Sequence, residues 1–142
     1  FGGMVTATVQ DATRRREDFV QAFDAVIADV PCSGLGVIRK KPDIRYKAEE
    51  ELRLLPDLQL RILTNLSEAV RPGGVLLYST CTLLRRENEE VVEAFLGIRS
   101  NFAPEPFTLP EPFGAAPDGM MTLMGHKHDT DGFFICRMRR RP

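Results

Sequence analysis

With 142 residues, 43% of them hydrophobic and 27% charged, the chain has the size and balance of one globular domain with a sizeable core. No run of 18 apolar residues and no charged-then-apolar leader is present, so neither a membrane span nor secretion is expected. A net charge of −1 does not by itself point to nucleic acid, and three scattered cysteines make no disulfide framework, which predicts a reducing, cytoplasmic setting.

The chain begins at Phe1 rather than Met, as a piece of a longer protein would. Met4 to Val9 alternates like a half-buried strand and ends in Gln10-Asp11-Ala12-Thr13. An arginine-rich stretch, Arg14-Arg15-Arg16, follows, and then a small apolar patch of Phe19, Val20 and Phe23. Ala25 to Val30 is a short β-branched run, read as a buried strand. It runs into Pro31-Cys32-Ser33-Gly34-Leu35-Gly36 and then a basic segment (Arg39, Lys40, Lys41, Arg45, Lys47) interrupted only by Asp43. Leu55, Leu58, Ile62, Leu66 and Ala69 recur at helical spacing, which predicts an amphipathic helix over Pro56 to Val70. Pro72-Gly73-Gly74 ends it, and Gly74 to Ser79 is a second buried strand. After Thr80-Cys81-Thr82 a further helix is predicted over about Arg86 to Leu96, with Glu87, Glu89 and Glu90 near its positive end. Asn101 to Asp118 holds five of the ten prolines and reads as an irregular surface loop. Met120 to Met124 and Phe133 to Met138 read as a closing β-hairpin joined by the polar turn His126 to Asp131.

A helical connection makes the Ala25 and Gly74 strands parallel neighbours in an α/β sheet. Cys32 and Cys81 then emerge at its carboxyl edge, where open α/β folds place their ligands. Two thiols and the carboxylate of Asp29 at one sheet edge suggest covalent chemistry on an electrophilic substrate. Cys136, between Ile135 and Arg137 in an apolar strand, reads as packing. His126 and His128 lack further ligands at convincing spacing, so no metal is expected. Gly34 and Gly36 suit a tight loop over the pocket. Lys40, Lys41 and Arg45 either meet a nucleic-acid backbone or form a solvated loop.

Asp29-Val30-Pro31-Cys32-Ser33-Gly34-Leu35-Gly36, Tyr78-Ser79-Thr80-Cys81-Thr82 and Asp131-Gly132-Phe133-Phe134 resemble the signature segments of the RNA cytosine-5 methyltransferases. The resemblance is strongest to the bacterial 16S ribosomal RNA methyltransferase B (Sun/Fmu-like) group, which Arg39-Lys40-Lys41-Pro42-Asp43-Ile44 and Glu87-Asn88-Glu89-Glu90-Val91-Val92 also resemble. It implies a class I, Rossmann-like methyltransferase sheet of strand order 3-2-1-4-5-7-6, with S-adenosylmethionine as methyl donor and ribosomal RNA as partner. It implies, too, that Cys81 is the nucleophile, that Cys32 assists product release and that Asp29 binds the cytosine edge. Asp11, Asp29 and Pro31 would face the donor, and Arg39, Lys40, Lys41 and Arg45 the RNA. A turn-capping role is the other reading of Asp11.

No Gly-x-Gly-x-Gly element precedes Asp29, and the acidic residue expected to hold the donor ribose is absent. Residues 1–142 are therefore expected to be a single, partial catalytic domain lacking its first strands and glycine-rich cofactor loop. Such a piece should bind donor weakly and show little activity alone. With its sheet neighbour missing, the Ala25 to Val30 strand should either recruit the Met4 to Val9 strand or form an edge-strand dimer. Three other readings stay open: a DNA cytosine-5 methyltransferase, in which the Pro-Cys thiol attacks; a thiol redox protein, although no Cys-x-x-Cys is found; and a non-catalytic RNA-binding module.

Overall fold

A computed structural model describes residues 4–46 and 48–142, so that Lys47 of the basic segment lies outside the described residues. The apolar run after Ala22 forms β1 (Phe23–Asp29). A single turn, α1 (Glu49–Arg53), leads into α2 (Leu55–Ser67), which carries Pro56 in its first turn, where a missing N–H costs nothing. The chain then returns as β2 (Val70–Thr80). β1 and β2 pair in parallel, with Ala25 opposite Val75 and Asp29 opposite Ser79. After α3 (Glu89–Ile98) come three short strands, β3 (Phe102–Pro104), β4 (Phe107–Leu109) and β5 (Gly114–Ala116). The chain closes with β6 (Met120–Leu123), a single turn α4 (Gly125–His128) and β7 (Phe133–Arg140).

The main sheet runs β1-β2-β7, with β6 and β3 lying end to end along the far edge of β7. β7 is antiparallel to β2, from Val75 opposite Arg139 to Thr80 opposite Phe134, and β6 forms the expected hairpin with β7. This is the 4-5-7-6 half of the expected Rossmann-like order. One sheet face (Leu76, Tyr78, Phe134, Cys136 and Met138) is buried against Ile62 and Leu63 of α2 and Val92 and Phe95 of α3. Cys136 is fully buried there, as its apolar neighbours predicted. The opposite face is less covered. Leu77, Ile135 and Phe133 share an apolar groove of about 300 Å³ with Phe107 and Leu109 of the β4–β5 hairpin, and Ile27 of β1 is 69% exposed.

Three expectations are corrected. Met4 to Val9 forms no strand, because alternation alone supplies no partner: among the described residues no strand pairs with it, and Val5 and Val9 are exposed. It does not fill the open edge of β1. Residues 101–118 are not wholly irregular, since Phe102 buries its ring edge-on to Phe95, 5.5 Å between centroids, and thereby anchors β3 on β7. Of its prolines, Pro104 sits in the short edge strand β3 and Pro110, Pro112 and Pro117 in turns, where a missing donor is tolerated. Glu87, expected at the positive end of a helix, precedes α3 in a tight 3-10 turn over Arg85–Glu87 and is fully buried.

Candidate active site

β1 and β2 end side by side, and their continuations carry the two cysteines to one place. The sulfurs of Cys32 and Cys81 are 3.0 Å apart, both thiols are free, and the Cys81 backbone N–H donates to the Cys32 sulfur at 3.3 Å. Each residue is half-buried. Burial, and then the neighbouring Cys81, push the Cys32 thiol far above its ordinary value, so it stays protonated at neutral pH. A protonated Cys32 can donate its S–H to the Cys81 sulfur.

The loops around the thiols are sewn together. The Ser33 and Thr82 side-chain oxygens, one residue after each cysteine, are 2.7 Å apart. Gly36 N–H donates to the Cys81 carbonyl at 3.0 Å, and Gly132 N–H donates to the Gly36 carbonyl at 2.8 Å. All three segments singled out in the sequence thus meet at one seam. A Cβ on Gly36 would lie 2.0 Å from the Gly132 carbonyl oxygen, which is why glycine stands there. Gly34 takes φ +78°, the left-handed turn that starts this loop.

Asp29 ends β1 with an exposed carboxylate, whose Oδ1 accepts from the Ser79 hydroxyl at 2.8 Å. The following Pro31 is exposed, and its carbonyl accepts from the Gln59 amide. Asp11 lies in the turn reading of the sequence: Oδ1 accepts from the Thr13 N–H and hydroxyl, which hold its carboxyl below the ordinary range. The turn rests on α2 through Asn65, which donates to the Ala12 carbonyl.

The basic segment is less uniform than its composition. Lys40 pairs with Asp131 at 2.6 Å. Arg39 and Lys40 line an open cleft of about 340 Å³ with Asp129, Thr130 and Asp131. Lys41 and Arg45 are exposed, and Arg45 donates to the Pro42 carbonyl. His128 accepts from the Met124 N–H through Nδ1. Among the described residues, no three His, Cys, Asp or Glu side chains are grouped to hold a metal ion, and no helix is long and apolar enough to cross a membrane.

Sequence reasoning overlooked the floor of this site. Buried Glu87 accepts from the Ser33 N–H and the Gln59 amide, and Asn88 holds Thr80 and Thr82. The Glu87-Asn88-Glu89 segment was visible in the sequence as a helix start and as part of the family resemblance, but with no site role attached to Glu87 or Asn88.

Residues 3–139 match the family profile described as 16S rRNA methyltransferase RsmB/F. The chain is 42% identical over 97% of its length to the probable ribosomal RNA small subunit methyltransferase B of Bacillus subtilis, and spans 32% of that protein. Among solved structures, the crystal structure of PH0851 superposes with a TM-score of 0.82 at 32% identity, over 94% of this chain and 30% of that one. The structure of NSun6 from Pyrococcus horikoshii with SFG does so with a TM-score of 0.65 at 31% identity, over 82% and 29% of the two chains.

Proposed function

The chain belongs to the 16S rRNA methyltransferase RsmB/F family, and from that premise we propose that it carries the catalytic cysteines of an enzyme methylating carbon 5 of a cytosine in 16S ribosomal RNA in the cytoplasm. The observation that carries the cytosine-5 reading is the 3.0 Å pairing of Cys32 and Cys81 beside Asp29 at the carboxyl edge of the sheet. Carbon 5 of cytosine is too weak a nucleophile to take a methyl group unaided. Addition of the Cys81 thiolate at carbon 6 turns the ring into an enamine, and Asp29 at the cytosine edge favours that polarisation. S-adenosylmethionine, when bound, supplies the methyl group as a reactive sulfonium substituent. Once carbon 5 is methylated, its proton leaves to a base. The electrons of that C–H bond restore the ring double bond, and the carbon 6–sulfur bond breaks onto Cys81. Cys32, kept protonated by burial, stabilises the departing sulfur with an S–H hydrogen bond.

Asp29, Pro31 and Asp11 suit one rim of the donor site: all three are accessible, and Asp29 and Pro31 flank the thiol pair. The rest of that site is proposed to lie outside residues 1–142, in keeping with the third of the relatives' length that the chain spans. The chain is thus one part of a catalytic domain, with weak donor affinity by itself. Arg39, Lys40, Lys41 and Arg45 meet the RNA backbone, Lys40 exchanging Asp131 for a phosphate.

In the full-length protein, Cys81→Ala is expected to abolish both methylation and the covalent RNA adduct. Cys32→Ala should leave RNA trapped on the enzyme, seen as a slow band on a denaturing gel. An adduct that survives Cys81→Ala and disappears in Cys32→Ala reverses the assignment, as a DNA-type mechanism would require.

A further inference from the structure

A fully buried pair of neighbours, Glu87 and Asn88, holds the residues on both sides of both cysteines, Pro31 through Gln59. Glu87 Oε2 accepts from the N–H of Ser33, just after Cys32, at 2.8 Å. It also accepts from the Gln59 amide at 3.0 Å, and that same amide donates to the carbonyl of Pro31, just before Cys32, at 2.9 Å. Asn88 repeats the arrangement on the other loop. Its Oδ1 accepts from the hydroxyl of Thr80, just before Cys81, at 2.6 Å, and its Nδ2 donates to the carbonyl of Thr82, just after Cys81, at 3.0 Å. The pair is itself anchored, because the buried Tyr78 hydroxyl donates to the Glu87 carbonyl at 2.6 Å.

These bonds are an unusual use of the residues. Asn88 stands at the N-cap of α3, yet its side chain makes no cap hydrogen bond and faces the Cys81 loop instead. A fully buried carboxylate such as Glu87 is a poor source of stability, since desolvating it costs several kcal/mol before its hydrogen bonds are counted. What the arrangement supplies is position. Two adjacent backbone units carry the two clamps, so the loops cannot move relative to each other without stretching one of them.

We propose that Glu87, through Gln59, and Asn88 are positioning residues that set the separation and aim of the Cys32 and Cys81 thiols, Glu87 serving the release step and Asn88 the attack. This rests on the roles given to the two cysteines above. A reacting group displaced by 1 Å loses about 100-fold in rate, so each clamp should produce the defect of its own cysteine.

The test uses the full-length enzyme with an rRNA substrate and S-adenosylmethionine, with Cys32→Ala and Cys81→Ala run alongside. Glu87→Ala should slow turnover by about 100-fold while the first methyl transfer and the KM for RNA stay near the parent's, so that covalent adduct accumulates. Asn88→Ala should lose adduct and methyl transfer together. Glu87→Gln, which keeps an acceptor for the Ser33 N–H, should recover turnover to within about tenfold of the parent. If Glu87→Ala does not fold, Gln59→Met removes the Pro31 anchor with little change of volume and should trap adduct in the same way. A second readout needs no RNA. Diamide takes two hydrogens from the Cys32 and Cys81 thiols as their sulfur–sulfur bond forms, and this closure should be about tenfold slower in Glu87→Ala, Gln59→Met and Asn88→Ala than in the parent. Parent-like closure together with parent-like turnover in folded variants overturns the clamp. So does an identical defect in Glu87→Ala and Asn88→Ala. If the cysteine variants themselves depart from their expected phenotypes, the reading of their roles fails, while the closure rates still decide whether the clamp positions the thiols.

Discussion

Cys32 and Cys81 differ in what surrounds the sulfur, and that difference is open to measurement. Burial pushes the Cys32 thiol upward even though its sulfur accepts the Cys81 N–H, and the proposed role of a protonated Cys32 is to donate its S–H to the departing sulfur. A hydrogen bond to a charged group contributes about 1.5–3 kcal/mol, so Cys32→Ala should slow adduct breakdown by roughly 10–100-fold. Cys32→Ser keeps a donor of nearly the same reach, and its adduct lifetime, followed by quenching on a denaturing gel, should fall between the parent's and that of Cys32→Ala. Equal lifetimes for the Ser and Ala variants would remove the donor role. Cys136 offers an internal comparison. It is fully buried, and its thiol is pushed up to about 12 by that burial. Because Cys32 and Cys81 are only half-buried while Cys136 is closed off from solvent, iodoacetamide should modify Cys81 or Cys32 well before Cys136 in the folded chain. Peptide mass spectrometry showing Cys136 labelled first would count against the pocket.

At the scale of elements, the seam between the two cysteine loops and β7 depends on a glycine. Gly36→Ala would force its Cβ into the Gly132 carbonyl, and the loop must shift to relieve it. Overpacking of this kind costs about 1–3 kcal/mol, which should appear as a lower midpoint in denaturant unfolding together with slower Cys32–Cys81 disulfide closure. An unchanged midpoint would mean that the seam yields freely. The link between β3 and β4 is held differently: Glu105 accepts from Arg139 at 2.5 and 3.1 Å and pairs with Arg137 at 2.7 Å. Those arginines, Arg139 first, hold the Glu105 carboxyl below its ordinary value. The folded chain therefore binds that proton less readily than the unfolded chain. The stability this contributes is in place above the ordinary carboxylate range and is lost as pH falls through the lowered value. Between about pH 6 and pH 3 the melting temperature of Glu105→Gln should fall less steeply than the parent's, and parallel profiles would show that the pair contributes nothing. The elements themselves were legible where periodicity carries the signal, as in the Leu58-Ile62-Leu66 stripe of α2 and the Val26 to Val30 run. Met4 to Val9 was misread because a strand exists only with a partner, and alternation is silent about partners. Both cysteine motifs were legible as polar strand ends. Glu87 was not, because no local pattern distinguishes a carboxylate buried beneath a loop from one solvated in the first turn of a helix.

For the whole molecule, the consequential feature is an edge. β1 pairs with β2 on one side, and on its other side no described strand pairs with it. Its apolar side chains are only partly covered, with Ile27 69% and Phe23 38% exposed. Such an edge is a template for another strand unless charge or proline blunts it. β1 contains no proline, and of its two carboxylates Asp24 is already paired with Arg71 and Asp29 accepts from Ser79. The opposite sheet face adds the apolar groove between Leu77, Ile135, Phe107 and Leu109. Backbone pairing and apolar burial thus favour the same event, the joining of two copies through β1. The 142-residue chain should show a weight-average mass that rises with concentration in sedimentation equilibrium. Ile27→Lys, which places a charge on the exposed side of that strand without touching the buried face, should return it toward the monomer. In the same preparations, titration calorimetry should detect weak donor binding or none. A chain that stays monomeric at every concentration would show that water satisfies the β1 edge well enough alone, and micromolar donor affinity would show that the site needs nothing beyond these residues.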